Sequence, residues 1–288
     1  MNAVTIKPGI LYLCATPIGN LEDMTFRAVR ILREVALVAA EDTRHTRKLF
    51  SHYDIHTALT SYHEHNKVGR GPELIGRLLA GDDIAVVSDA GLPGISDPGS
   101  DLVKLAITAG ITVSPIPGPS AALAGLVASG LDTEKFLFVG FLPKTAKKRR
   151  EMLGALAKIE YTLVFYESPY RIVSVLEEMS TIFGDDRPAT AGREMTKKFE
   201  EFVRGTVETL KSYFSQSTPR GEFTLIVAGV KTEAKPDSDT AVDPAAQVMT
   251  LIAKGVLKKD AIKMVAQQLA LPKREVYQAV LNLPDESG

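Results

Sequence analysis

A single cysteine, Cys14, stands among 288 residues, and tryptophan is absent. One thiol excludes a disulfide framework and any cysteine-based metal cluster. Charge of one sign is also missing: 34 Lys+Arg offset 35 Asp+Glu, for a net charge of -1. That balance argues against coating nucleic acid along the whole surface, although a local basic patch remains compatible with it. Apolar runs such as Ala121–Val127 fall far short of the roughly 20 residues a membrane span needs. The N-terminus offers one lysine, Lys7, and a short apolar stretch from Ile10 to Ala15, which does not read as a signal peptide. A cytoplasmic protein without membrane contact is expected. The chain contains no GxxxxGKS/T, no GxGxxG opening a helix and no GxSxG elbow. These gaps disfavour a nucleoside triphosphatase, a standard dinucleotide enzyme and an elbow-type hydrolase.

What is present is an ordinary globular composition, 45% hydrophobic and 24% charged, in a chain long enough for two domains. Short β-type runs at Ile10–Ala15, Leu37–Ala40, Ile84–Ser88 and Ile111–Pro115 alternate with amphipathic stretches at Thr25–Glu34, Pro72–Ala80 and Asp101–Ala109. Continuous apolar strands separated by helices predict a largely parallel sheet covered on both faces. A second set of strands, Phe136–Phe141, Tyr161–Tyr166, Pro188–Ala191, Glu201–Arg204 and Phe223–Ala228, is interleaved with helices at Ala146–Ile159, Pro169–Phe183 and Thr206–Phe214. Closely spaced strands late in this set predict an antiparallel or mixed sheet. The expected organisation is α/β, with an N-terminal parallel domain over 1–131 and a second α/β domain over 132–230. A polar linker at 231–244 precedes a helical module at 245–288, with helices at Ala245–Lys254, Lys259–Leu269 and Lys273–Leu283. Residues 245–284 hold six Lys/Arg and two acids, and either a helix-turn-helix-like module or a dimerisation arm fits them.

Three Gly/Pro-rich loops directly follow strands of the first set: Ala15–Leu21 (ATPIGNL), Ser88–Gly99 (SDAGLPGISDPG) and Pro115–Ala121 (PIPGPSA). Ligands of open parallel sheets bind beyond the carboxyl ends of the strands, where these loops would converge. One such loop is most simply a tight turn, but three on one edge point to a ligand cleft.

The ATPIGNLEDMT start, AEDTRHT at Ala40–Thr46, SDAGLPGISDPG, PIPGPSA, GFLP at Gly140–Pro143, YESPYR at Tyr166–Arg171 and REMTK at Arg193–Lys197 together resemble the tetrapyrrole-methylase superfamily. Within it, they are most similar to the bacterial ribosomal small-subunit RNA (cytidine-2′-O)-methyltransferases, from about Leu11 to Gly229. The resemblance implies two α/β domains with a cleft between them for S-adenosyl-L-methionine, a homodimer, and a cytidine ribose in the decoding region of 16S rRNA as acceptor. It places Pro17, Ser88, Asp89, Ala90, Ile95, Ser120, Ala121, Phe141, Leu142, Glu222, Phe223 and Thr224 around the cofactor.

Methyl transfer to a hydroxyl calls for alignment and removal of a proton. Glu41, Asp42 and Arg44 in EDTRH, and Arg193, Glu194 and Lys197 in REMTK, are the candidates, with ion pairs that merely fix loops as the equal alternative. Lys144, Lys147, Lys148, Arg149 and Arg150 form a basic run suited to RNA phosphates, or else a solvated helix start. All five histidines, His45, His52, His56, His63 and His65, cluster without a metal-binding motif, and a solvated or RNA-facing surface is expected there. Two other readings remain open: a corrinoid or protein-side-chain methyltransferase on the same fold, and a non-catalytic ribosome-assembly RNA-binding factor.

Overall fold

The computed structural model describes residues 7–230, 243–269 and 271–281. Two compact units follow along the chain, one ending at Val230 and the other beginning at Lys231.

The first unit contains two five-stranded sheets. β1 (Ile10–Cys14), β2 (Leu37–Ala40), β3 (Leu59–Ser61), β4 (Ile84–Val87) and β5 (Thr112–Ile116) form a sheet of order β3-β2-β4-β1-β5, with every pair parallel. β2 and β4 are buried along their full length, because helices cover both faces and leave no position for a polar side chain. On one side Leu32, Phe50, Ile31 and Ala28 pack against Val38, Val87 and Cys14. On the other, Leu74, Leu78, Leu102 and Tyr62 pack against Leu11, Ile84 and Val86. Burial pushes the Cys14 thiol up to about 12, so it is a core residue and not a nucleophile.

The covering helices are α1 (Phe26–Glu34), α2 (Thr43–His52), α3 (Lys67–Leu79) and α4 (Gly99–Thr108). Thr25 starts α1 by accepting a hydrogen bond from the Ala28 N–H. The sequence signals for α2 and β3 are weak. Only Thr46, Leu49 and Phe50 of α2 are buried, and β3 is a three-residue edge strand. α3 begins five residues before the expected Pro72, anchored by Lys67 bonded to Asp101 and by Asn66 bonded to Ser61.

β6 (Phe136–Phe141), β7 (Thr162–Glu167), β8 (Pro188–Arg193), β9 (Glu201–Thr206) and β10 (Phe223–Val227) form the second sheet, of order β6-β7-β10-β8-β9. Only β6–β7 is parallel, so this sheet is mixed. α6 (Ala146–Leu156), α7 (Ile172–Phe183) and α8 (Val207–Ser215) cover one face through Leu153, Leu176, Met179, Leu210 and Phe214. The other face is covered by α5 (Ala121–Ser129), whose Ala122 and Leu126 pack on Val164 and Ile226. By sequence α5 belongs with the first sheet; by packing it belongs with the second. It is capped by the Ser120 side chain and stopped at Gly130, which adopts a left-handed φ of 80°.

The second unit contains α9 (Pro244–Ala253), α10 (Lys258–Gln268) and α11 (Lys273–Leu281), packed around Val248, Ile262, Val265, Val276 and Val280. Most of the expected linker, 231–242, lies outside the described residues, as does the expected end of the last helix beyond Leu281. No helix among the described residues is long and apolar enough to cross a membrane.

Candidate functional site

The three Gly/Pro-rich loops leave adjacent strands, β4, β1 and β5, at their carboxyl ends. They touch one another through main chain. Thr16 N donates to Gly91 O at 2.9 Å and Gly91 N donates to Thr16 O at 3.1 Å. The Gly118 position lies so close that an added Cβ would sit 2.7 Å from the Ala15 Cβ. Glycine is required there by contact, and at Gly91 by its φ of 81°.

The EDTRH and REMTK stretches join the same edge. Asp42 N donates to Asp89 Oδ1 at 3.0 Å, and Asn20 N donates to Thr196 Oγ1 at 3.1 Å. The second sheet approaches at Gly140, where an added Cβ would lie 3.3 Å from Ser96 Oγ. This contact brings the Ile95 loop beside the Phe141 strand end, and both side chains are about half exposed, at 47% and 57%. Among the described residues, four non-glycine residues have positive φ, and three of them, Ser96, Glu194 and Thr196, lie in these converging loops. Strained backbone of this kind persists where surrounding structure holds it, commonly at binding sites.

Individual side chains then separate by role. Ser88 is buried and its hydroxyl braces its own loop on the Ala90 and Gly91 carbonyls. Asp97 accepts from the Gly94 and Gly99 amides at 2.8 and 2.7 Å; burial pushes its carboxyl up while these amides oppose the shift. Asp42 caps α2 and is gripped by Arg44, which holds its carboxyl far below the usual range. Lys197 bridges Glu194 at 2.8 Å and Glu222 at 2.7 Å. Burial works against the Lys197 charge, but the two carboxylates outweigh it and raise its affinity for the proton. Lys197 in turn lowers Glu194. Arg193 pairs with Glu201 at 3.0 Å. Glu41 behaves differently: burial pushes its carboxyl up, the Asp89 charge adds to this, and the Asp89 amide opposes it. Of the candidate carboxylates Glu41, Asp42 and Glu194, it is the one whose basicity the fold increases.

Three expectations need correction. Arg149 is buried, not presented to solvent: its guanidinium forks onto Glu178 at 2.7 and 2.8 Å, tying α6 to α7. Lys144, Lys147, Lys148 and Arg150 remain exposed. The Leu142 and Phe223 side chains point into the core beneath α7 and α8, so at most their main chain can face the cleft. Strand alternation explains Phe223, since Thr224 faces α5 on the opposite side of β10. Pro17, Asp89, Ser120 and Ala121 are half-buried at the converging loop ends, while Ala90 and Glu222 are exposed.

The YESPYR segment makes positioning contacts through residues that were not among the site candidates. The Tyr166 hydroxyl accepts from Ala122 N at 3.2 Å, and its ring lies 5.6 Å from that of Phe141. Arg171 donates to the Leu142 and Pro143 carbonyls at 3.0 and 3.2 Å, and buried Glu167 lies 3.3 Å from the same guanidinium nitrogen. One segment thereby positions both the α5 entry and the GFLP turn. The signal was the motif itself, a compact Tyr-Glu-x-Pro-x-Arg string at a strand end.

The histidines do not assemble. His45 and His52 are exposed on α2, His56 pairs with Asp54 at 2.9 Å, and the His63 and His65 rings meet edge-on at 6.0 Å.

The profile of the tetrapyrrole (corrin/porphyrin) methylases matches residues 10–211. A protein of Synechocystis sp. named ribosomal RNA small subunit methyltransferase I is 48% identical over 275 residues, covering 96% of this chain and 98% of that protein. The protein of the same name from Halalkalibacterium halodurans is 51% identical over 271 residues, covering 93% of each. Among solved structures, a uroporphyrin-III-C-methyltransferase from Thermus thermophilus aligns with a TM-score of 0.55 at 20% identity, over 76% of this chain and 94% of that one. A diphthine synthase aligns with a TM-score of 0.58 at 13% identity, over 77% and 90%. At such identities the structural likeness speaks for the fold alone.

Proposed function

This chain belongs to the tetrapyrrole (corrin/porphyrin) methylase family, and from that premise we propose that it uses S-adenosyl-L-methionine to methylate the 2′-hydroxyl of a cytidine ribose in the decoding region of 16S rRNA, in the small ribosomal subunit. The observation that carries the reading is near-half identity across nearly the whole length to proteins named ribosomal RNA small subunit methyltransferase I.

The residues at the loop edge fit the cofactor. A sulfonium and an ammonium carry positive charge, and the edge presents the Asp89 carboxylate. The half-exposed Ile95 and Phe141 offer apolar contact for a purine. Pro17, Ser120, Ala121 and the main chain at Ala90, Leu142 and Glu222–Thr224 would complete the cradle, with Ser88 and Asp97 holding the loop in shape. When bound, the cofactor supplies a methyl group already activated by positive charge.

The protein's own chemical task is then alignment and proton removal. Glu41 is assigned the proton: its carboxylate would take it from the ribose hydroxyl as the oxygen–methyl bond forms and the sulfur–methyl bond breaks, the cofactor leaving as a neutral thioether. Asp42–Arg44 and Glu194–Lys197–Glu222 act as ion-paired struts that hold the EDTRH and REMTK loops, and Arg193 braces β9. The exposed Lys144, Lys147, Lys148 and Arg150 meet RNA phosphates. The protein works in the cytoplasm as a homodimer, the assembly its family resemblance implies.

The test is transfer of labelled methyl from S-adenosyl-L-methionine to small ribosomal subunits and to naked 16S rRNA, both from cells lacking the activity. Label in the RNA supports the reading. Cofactor binding without transfer to either acceptor sends the assignment to a small-molecule or protein methylase, and failure to bind the cofactor in calorimetry sends it to a non-catalytic RNA-binding factor.

A further inference from the structure

We propose that the three-helix unit α9–α11 is a docking surface for RNA, contacting phosphates through Lys259, Lys263, Lys273 and Arg274 and offering Tyr277 as a stacking platform for an unpaired base. The proposal rests on the RNA-methyltransferase reading of the body and names where the substrate is gripped outside the reaction cleft.

None of the cations of the three helices takes part in the packing of this unit, whose one charged side-chain cap among the described residues is Asp243, accepting from Ala245 N at the start of α9. Its interior is apolar, with Ala245, Val248, Ala261, Val265 and Val276 all at or below 1% exposure. From Ala245 to Leu281 there are six cations, Lys254, Lys258, Lys259, Lys263, Lys273 and Arg274, against the acids Asp260 and Glu275. All six cations are exposed, and none forms an ion pair among the described residues. In the body many cations, such as Arg30, Lys67, Arg77, Arg149, Lys197 and Lys211, are matched to carboxylates within 3 Å, whereas Lys144, Lys147 and Lys148 are exposed without such a match among the described residues. Lys259 and Lys263 stand four residues apart on α10, where like charges repel and weaken a helix. Within α9–α11 the six cations thus outnumber the two acids, in a protein whose net charge is -1.

Helix spacing gives the charge a direction. On α11, Val276 and Val280 are buried, and Lys273, Arg274, Tyr277, Gln278 and Leu281 are exposed. Positions 274 and 278 lie on the side of the helix opposite its core stripe, while 273 and 277, one turn apart, flank that stripe at the exposed edge. Tyr277 is 49% exposed and stands one turn beyond Lys273. Cations interleaved with an exposed aromatic and an amide donor are the chemistry of single-stranded RNA: phosphates meet the cations, and an unstacked base meets the ring. A protein partner held by apolar contact would instead call for a continuous hydrophobic face, and here the exposed apolar residues Met249, Leu257, Met264 and Leu281 are spread over three helices and a connection.

The experiment uses the full chain and an unmodified 16S rRNA transcript, with filter binding over a potassium chloride series and no cofactor present. One variant combines Lys259→Gln, Lys263→Gln, Lys273→Gln and Arg274→Gln; a second is Tyr277→Ala. The quadruple variant should bind at least tenfold more weakly near 0.1 M salt. The slope of log affinity against log salt should flatten by roughly 0.7–0.9 for each phosphate that the variant no longer neutralises. Tyr277→Ala should weaken binding about fivefold or more with the slope unchanged. Both should keep wild-type cofactor affinity and circular dichroism.

Wild-type affinity and slope in the quadruple variant would overturn the proposal, as would absence of RNA binding by the wild-type chain. A change in sedimentation with RNA affinity intact would assign the unit to self-association and overturn it too. The body's function fails separately: RNA binding that depends on α10 and α11, without methyl transfer to subunits, would sink the methyltransferase reading and leave this one standing.

Discussion

Replacing Arg149 by alanine should damage the fold and leave RNA affinity nearly untouched, which separates it from its basic neighbours. The Arg149 guanidinium makes two short bonds to Glu178, at 2.7 and 2.8 Å, and a longer one to the Lys144 carbonyl at 3.4 Å. Its side chain is 9% exposed and that of Glu178 is 15% exposed. Breaking a buried pair by removing one partner costs about 3–5 kcal/mol, because the other charge stays behind without compensation. Here Arg150 stands 3.7 Å from Glu178 and offers partial replacement, so the low end, about 3 kcal/mol, is expected. For a unit of this size that corresponds to a fall in Tm of roughly 6–12 °C. Arg149 holds the Glu178 carboxyl below its ordinary value of 4.5. A carboxylate with a lowered folded-state value stabilises fully above the ordinary value and loses that contribution as pH falls through the lowered one. The stability gap between wild type and Glu178→Gln should therefore close under acid. Urea unfolding by circular dichroism, alongside RNA filter binding, measures both effects. If Arg149→Ala unfolds at the wild-type midpoint while RNA affinity drops, the structural reading of Arg149 is wrong.

Other perturbations address the cleft. Glu41→Gln should lower kcat by roughly a hundredfold or more while cofactor affinity stays within about twofold; in the wild type the rate should fall as pH drops through the raised Glu41 value, and this limb should vanish in the variant. Tyr166→Phe removes the acceptor for Ala122 N and should cost about 1 kcal/mol of stability, read as a lower midpoint in urea unfolding. Gly118→Ala drives a methyl group into Ala15 and should destabilise by about 1–3 kcal/mol in urea, weakening cofactor binding at the same time.

The alternation of buried strands with amphipathic helices made the parallel sheet legible, since β1, β2, β4 and β5 are apolar runs bounded by glycine, proline or charge. The adjacency of β4, β1 and β5, which brings the three loops together, depends on strand order, and local sequence does not encode that order. α2 and β3 escaped because one buries only three side chains and the other is a three-residue edge strand. α5 shows a different limit: its composition places it in a core, but which sheet it covers is decided by Val164 and Ile226, far away in sequence.

At the site, the residues that hold loops proved easier to find than their tasks. Arg149 looked like its neighbours in a basic run, and only the position of Glu178 on α7 reveals it as structural. Phe223 and Leu142 carry the right motif positions with side chains turned into the core. Tyr166 and Arg171 act through carbonyls and amides, and backbone partners leave no trace in a pattern of side chains. Glu41 stood among equals until burial and the neighbouring Asp89 distinguished it.

The most direct measurement of the central claim is the chemistry of the labelled product. Small subunits methylated by the protein with labelled S-adenosyl-L-methionine would be stripped to RNA and hydrolysed in alkali. A methylated 2′-oxygen cannot attack its neighbouring phosphate, so the account predicts label in an alkali-stable dinucleotide whose methylated nucleoside is cytidine. Label released in mononucleotides, or recovered only in ribosomal protein, would contradict it.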